Sequence, residues 1–296
     1  MIGYAFDWEG RTHHLSFDVP ANLGQQFANA PRTYRYSGAL PRDWKASYYP
    51  MFLNNAADQG PIRGLVAALK QVTAPRDNDE WARACIVFVQ TAIGYDSLKA
   101  ASLADSSMRY PSETLLAGHG VCADKTLLLA AMLRQLGYGI ALLTWDRANH
   151  MALGLKVPAG FGSFGTAYAM VETTAAAAIG QVPERYVGGI RLDGKPEVME
   201  LGGAGVYQAI VAQRKQEAED ERQYGKDYFK MNPAQQALHR QMQPLKSEME
   251  ALAQKLKRCQ GTLPPAQYAE CQALQTKYNA IVGDYNRLVE EFNRAQ

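Results

Sequence analysis

Four cysteines occur among the 296 residues, and one of them, Cys122, stands where a thiol can do chemistry. In "ETLLAGHGVCADKTLLLAAMLRQLGYG", residues 113–139, Gly118 and Gly120 flank His119 and let the chain turn sharply into an apolar run beginning near Cys122. A helix N-terminus carries roughly half a positive charge and several free N–H groups. Both favour a thiolate, and the same amides can receive an oxyanion once sulfur has attacked a carbonyl. The plainer alternative is a capped, half-buried packing cysteine. A nucleophile also needs a base, and the base needs an orienter. His150 opens a strand-like "HMALGL" after the polar turn "WDRAN", and Glu172 lies in "AMVETT" on the following strand-like segment. Neighbouring antiparallel strands bring an imidazole and a carboxylate side by side. Cysteine at a helix start, histidine at a strand start and an acid on the next strand are more specific together than any one alone.

Other polar residues compete for roles. His119 precedes the helix on a flexible turn, which suits a base poorly. Asp124 and Lys125, in the first helical turn, are expected to be a dipole partner and a surface charge. A zinc site from Cys122, His119 and His150 lacks paired spacing such as CxxC or HxxxH, so the chain calls for no metal and no cofactor. His13 and His14 are adjacent on a strand, face opposite ways and make poor joint ligands. Cys85 falls in the apolar stripe of Trp81, Phe88 and Val89 and reads as buried packing. Gly160, Gly162 and Gly165 either let a loop act as a lid or build a long hairpin bend.

The elements that must carry these groups follow from periodicity. In "GYAFDWEGRTHHLSFDVP", period-two apolar spacing around Glu9-Gly10 predicts a β-hairpin. Residues 59–93 read as two helices, the second opened by capping Asp/Asn with acidic first-turn residues. The helix after Cys122 should stop at Gly137. Strands are expected over 139–145 and 150–157, then the loop "PAGFGSFG", then a strand in "AYAMVETT". Helix first and antiparallel strands after it argue for an α+β fold.

Residues 213–230 alternate in charge and read as a solvated helix or connector. Beyond Pro233 two apolar series take alternating three- and four-residue steps, Leu238 to Cys259 and Cys271 to Phe292, around a loop containing "GTLPP". Two heptad seams joined by a Gly/Pro turn describe an antiparallel helical hairpin, which Pro244 should kink or start late. Cys259 and Cys271 then meet at the loop end, about 5.5 Å apart at Cα, as a disulfide requires, with two reduced seam cysteines as the alternative. Such a bond implies an oxidising compartment, periplasm or cell surface, with a signal or anchor removed from the sequence as given. The expected organisation is residues 1–212 as the chemical domain, 213–232 as connector and 233–296 as hairpin. A net charge of +2 without a basic block gives no reason to expect nucleic acid, and no apolar run approaches a membrane span.

"GVCADKTLLLAAMLRQLGY", followed by "HMALGL" and "VETT", resembles the transglutaminase-like superfamily, over about residues 80–190. The resemblance implies a papain-like core and a Cys-His-acid triad: Cys122 nucleophile, His150 base and acid, Glu172 orienter, with Glu where Asp is commoner. "RYPSETLL" looks like the segment before the nucleophile in bacterial and archaeal relatives. Animal transglutaminases use a tryptophan near there, and Tyr110 is the aromatic here whose hydroxyl is expected to take that part. The resemblance implies thiol-dependent acyl transfer on a peptide or protein substrate. Hydrolysis in the cell envelope comes first, protein cross-linking second. An inactive scaffold that recruits a protein partner through the helical hairpin is the reading from another class.

Overall fold

The computed structural model describes residues 1–102, 107–183, 191–259 and 264–295, and they divide into two units, Met1–Ala212 and Gln213–Gln296. The first unit opens with β1 (Ile2–Trp8) and β2 (Arg11–Phe17), paired antiparallel with Trp8 opposite Arg11. Glu9 and Gly10 both have positive φ, 49° and 76°, as a two-residue hairpin turn that follows strand twist requires. Alternation then puts Phe6, Trp8, Leu15 and Phe17 into the core.

The helices start where the sequence offers caps. After the short α1 (Leu23–Ala28) and α2 (Trp44–Leu53), α3 (Ala56–Thr73) begins with the Asn55 side chain accepting from Ala57 N. In α4 (Asn78–Thr91) the Asp77 carboxylate accepts from Glu80 N. Its buried face includes Cys85, which is packing as expected, with burial holding the thiol pKa well above its usual range. A two-residue strand, β3 (Gly94–Tyr95), precedes α5 (Ser97–Ala101) and α6 (Pro111–Ala117), and pairs parallel with β4 (His119–Gly120).

Helix α7 (Cys122–Gln135) runs through the middle of the unit, buried from Asp124 to Leu133. It ends where the sequence said: Gly137 adopts φ 79°, its N–H bonds Arg134 O, and Tyr138 N–H reaches back to Leu133 O. That pair of bonds is the left-handed glycine cap. The chain then forms β5 (Ile140–Trp145), β6 (His150–Lys156), β7 (Tyr168–Val171) and β8 (Glu197–Gly202). They make one antiparallel sheet in the order β7-β6-β5-β8. The architecture is α+β, with α7 packed against β5 and β6. Leu143, Trp145, Ala152 and Met170 form a smaller apolar cluster with Phe164 and Leu192.

From Ile210 to Tyr224 the charged stretch is a helix, α8, continued by a 3-10 turn at Lys226–Lys230. In the second unit α9 (Pro233–Leu256) and α10 (Pro265–Arg294) form the hairpin, with Leu252, Ile281 and Leu288 buried in its seam. Asn232 Nδ2 bonds Ala295 O at one end, and Cys259–Cys271 closes the other with a Cα separation of 5.7 Å. Pro244 lies inside α9 without delaying its start. Of the "GTLPP" loop, residues 261–263 lie outside the described residues. No described helix is long and apolar enough to cross a membrane.

Candidate active site

Cys122 is the first residue of α7, half-buried, after an extended Val121. The approach is built tightly. A Cβ on Gly120 would come within 2.8 Å of Asp124 Cβ and 3.1 Å of Thr114 Cγ2, so only glycine fits. Asp124 is fully buried, and its carboxylate accepts from Val121 N at 3.2 Å and Arg109 N at 2.9 Å. Lys99 Nζ neutralises it from 2.8 Å. Asp124 is thus the cap that fixes the turn in front of the sulfur.

The base arrives from the sheet. His150 begins β6 opposite Trp145, and its ring lies 6.1 Å from the indole. Nε2 meets Glu172 Oε2 at 3.1 Å, and the Cys122 side chain is near enough to act on the imidazole's pKa. Burial alone would lower the His150 pKa. The nearby Cys122 side chain and the hydrogen bond and charge of Glu172 overcome it and raise the value to about 9. The imidazole therefore keeps its proton at neutral pH. The sulfur is also 4.0 Å from Asn149 O, whose residue takes a left-handed φ of 45°.

Glu172 follows the last residue of β7 and is fully buried. Its Oε1 accepts from Thr173 N at 2.9 Å, Thr174 N at 2.7 Å and Thr174 Oγ1 at 2.6 Å. Burial opposes ionisation, but the His150 pair and the Thr174 bonds hold the carboxyl below its usual range. Gln90 Nε2 pins the segment by donating to Glu172 O and Ala177 O. Thr126 Oγ1 on α7 bonds Met151 O and meets Thr173 Oγ1, both at 3.3 Å. Helix and sheet are thereby tied together one turn behind the sulfur.

Two expectations need correction. Tyr110 is not at the site: its ring stacks on Phe27, and its buried hydroxyl donates to Pro31 O at 2.5 Å. It begins α6 and is committed to the core. Asp124 serves the helix start as expected, as a fully buried cap. Lys125 is no surface charge; it is 1% exposed, and Nζ donates to Ile93 O at 2.6 Å. Burial lowers its pKa to about 8 despite the attraction of Glu172. His119 is spoken for, with Nδ1 2.9 Å from Asp96. The 158–167 glycine loop is a built bend: a Cβ on Gly162 would overlap Thr166 O, and Phe164 stands edge-on to Trp145 at 5.2 Å.

The residue that sequence reasoning passed over is Tyr95. The β3–β4 pairing sets it opposite Gly120, two residues before Cys122. Its half-buried phenol pKa is raised, by burial first and then by the nearby Cys122 and Glu172. Only the nonlocal pairing of "GY" with "HG" reveals it, and a two-residue strand has no readable periodicity.

Residues 65–158 match a family model described as a transglutaminase-like domain, a span that takes in Cys122 and His150 and ends before Glu172. No curated protein and no solved structure matches the chain.

Proposed function

Starting from a chain that carries a transglutaminase-like domain, we propose that this protein transfers acyl groups from peptide or carboxamide substrates through Cys122, His150 and Glu172. One observation carries the reading: a buried imidazole 3.1 Å from a fully buried carboxylate, its pKa raised by that carboxylate and by the Cys122 side chain at a helix N-terminus. The Cys122 sulfur attacks the carbonyl carbon, and the carbonyl oxygen takes the electron pair. The N–H groups of Cys122 and Ala123, in the first helical turn without intrahelical acceptors, are available to stabilise that charge. His150 gives its proton to the leaving amine as the C–N bond breaks. The neutral imidazole then takes a proton from water, and the hydroxide displaces the sulfur from the acyl group as the acid leaves, restoring the starting sulfur and imidazolium. Glu172 keeps the ring oriented and balances the imidazolium.

Water needs no acceptor site of its own, so hydrolysis is the favoured outcome, ahead of transfer to an amine. The Cys259–Cys271 disulfide supports a location in an oxidising compartment, the cell envelope. Labelling with an electrophilic acyl probe and mass mapping of the modified residue tests the proposal. Modification confined to Cys122, and slowed in His150→Ala, is expected. Labelling of Cys122 no faster than of Cys85 in the native protein would overturn it.

A further inference from the structure

The base is carried by a short polar turn. Asp146–Ala148 form a single 3-10 turn, Asn149 follows in the left-handed region, and His150 begins the strand. Asp146, Arg147 and Asn149 are exposed and only Ala148 is half-buried, so little apolar burial holds the turn in place. A non-glycine residue at φ 45° costs of order 1 kcal/mol and persists only when its surroundings over-determine it. Something polar must do so.

Lys45, the second residue of α2, is 9% exposed. Its ammonium has three donors and makes three charge-assisted contacts: Asp146 Oδ1 at 2.7 Å, Asp146 Oδ2 at 2.8 Å and Glu197 Oε2 at 2.6 Å. Helix α2, the turn and β8 are thereby joined at one point, four residues before His150. We propose that Lys45 is a positioning residue: by clamping Asp146 it fixes the turn that carries His150 and so sets the imidazole against the sulfur. The inference rests on the acyl-transfer reading above and adds to it a residue that touches neither substrate nor thiol. Charge-assisted bonds around one buried ammonium are short and directional, and they suit this task better than two exposed side chains would. Displacing a catalytic group by an ångström can cost on the order of 100-fold in rate.

The test uses the full chain, p-nitrophenyl acetate as acyl donor and iodoacetamide as alkylating probe. In Lys45→Met, kcat for the ester is expected to fall about 10-fold or more while KM stays within about twofold. The alkaline limb of the Cys122 alkylation profile should move to lower pH as the imidazole loses its register with the sulfur. Lys45→Arg should restore much of the rate. Asp146→Asn should reproduce the loss, and since the Asp146 side chain is 73% exposed it carries the test if Lys45→Met does not fold. A kcat within about twofold of wild type in both variants overturns the proposal. So does a loss that tracks melting temperature, leaves the pH profile in place and is not rescued by arginine. Cys122→Ala and His150→Ala separate the two readings. If they leave ester turnover intact, acyl transfer at this site fails and the clamp with it; if they abolish turnover while the Lys45 and Asp146 variants match wild type, only the clamp fails.

Discussion

Replacing Glu172 by glutamine keeps the side chain's shape and removes its charge, and the surroundings dictate how the amide must sit. Oε1 accepts three donors, from Thr173 N, Thr174 N and Thr174 Oγ1, so the single amide oxygen has to stay there. The NH2 group is then turned toward His150 Nε2, which meets the carboxylate at 3.1 Å in the native protein. A donor facing Nε2 forces that nitrogen to accept, and the ring proton moves to Nδ1, the only other ring nitrogen. An imidazole protonated there cannot take the thiol's proton. The charge matters as well. Raising His150 from 6.5 to about 9 corresponds to about 3 kcal/mol in favour of the imidazolium, achieved against burial.

Losing most of that stabilisation slows acylation by about 100-fold at neutral pH. The tautomer change can take the loss toward the order of 10⁴ seen for the equivalent change in a serine triad. The release of p-nitrophenolate from p-nitrophenyl acetate, followed from acid to alkaline pH, reads the acylation rate directly. The alkylation profile of Cys122 should in parallel lose its limb near 9. Acylation in Glu172→Gln within about twofold of wild type, with that limb in place, would refute the account of how Glu172 acts. Glu172→Ala is a poorer test. It strands three buried donors and an uncompensated imidazolium, which costs about 3–5 kcal/mol of stability.

A raised histidine pKa stabilises the fold below its unfolded value, so His150 should contribute about 3 kcal/mol below 6.5 and lose it as pH rises through about 9. Urea melts of wild type and His150→Gln should accordingly converge across that window, and a constant difference would count against the imidazolium. Lys125 has the opposite sign, because its folded value is lowered to about 8 and the unfolded chain binds the extra proton. Lys125→Met is therefore expected to stabilise the protein at neutral pH by about 1–2 kcal/mol after the bond to Ile93 O is given up, with the gain shrinking above pH 8. Tyr110→Phe should cost about 1 kcal/mol in stability and leave ester turnover unchanged, whereas Tyr95→Phe should slow turnover and spare stability; the reverse pattern would restore Tyr110 to the site. Denatured without reductant, the protein should titrate as two thiols, Cys85 and Cys122, and reducing Cys259–Cys271 should lower the hairpin's stability by about 3 kcal/mol.

What the sequence disclosed and what it withheld divide along a physical line. Helix starts, glycine stops, strand alternation and heptad seams are set by neighbours within a few residues. Cys122 at a helix start, Gly137 at its end, the Glu9-Gly10 turn and the two seams were therefore legible before any fold was known. His150 and Glu172 were legible because adjacent antiparallel strands translate sequence order into spatial order. The charged residues that frame the site follow a different logic. Asp124, Lys125 and Lys45 occupy positions where local pattern reads as solvent, yet each is buried. Their partners lie far along the chain: Lys99 and Arg109 for Asp124, Ile93 for Lys125, Asp146 and Glu197 for Lys45. An ionised side chain is taken out of water only where such partners converge, so its burial depends on the finished fold and not on its own segment. Tyr110 shows the same limit from the other side. Nearness to Cys122 in sequence promised a role, but the Phe27 ring and Pro31 O, reached only after folding, claimed its ring and hydroxyl for the core. Tyr95, more than twice as far from Cys122 along the chain, is brought opposite Gly120, two residues before it, by two residues of parallel pairing. The candidate site groups sit at element ends, where sequence speaks plainly. The groups that hold them in register are distributed across the fold, and only coordinates can join them.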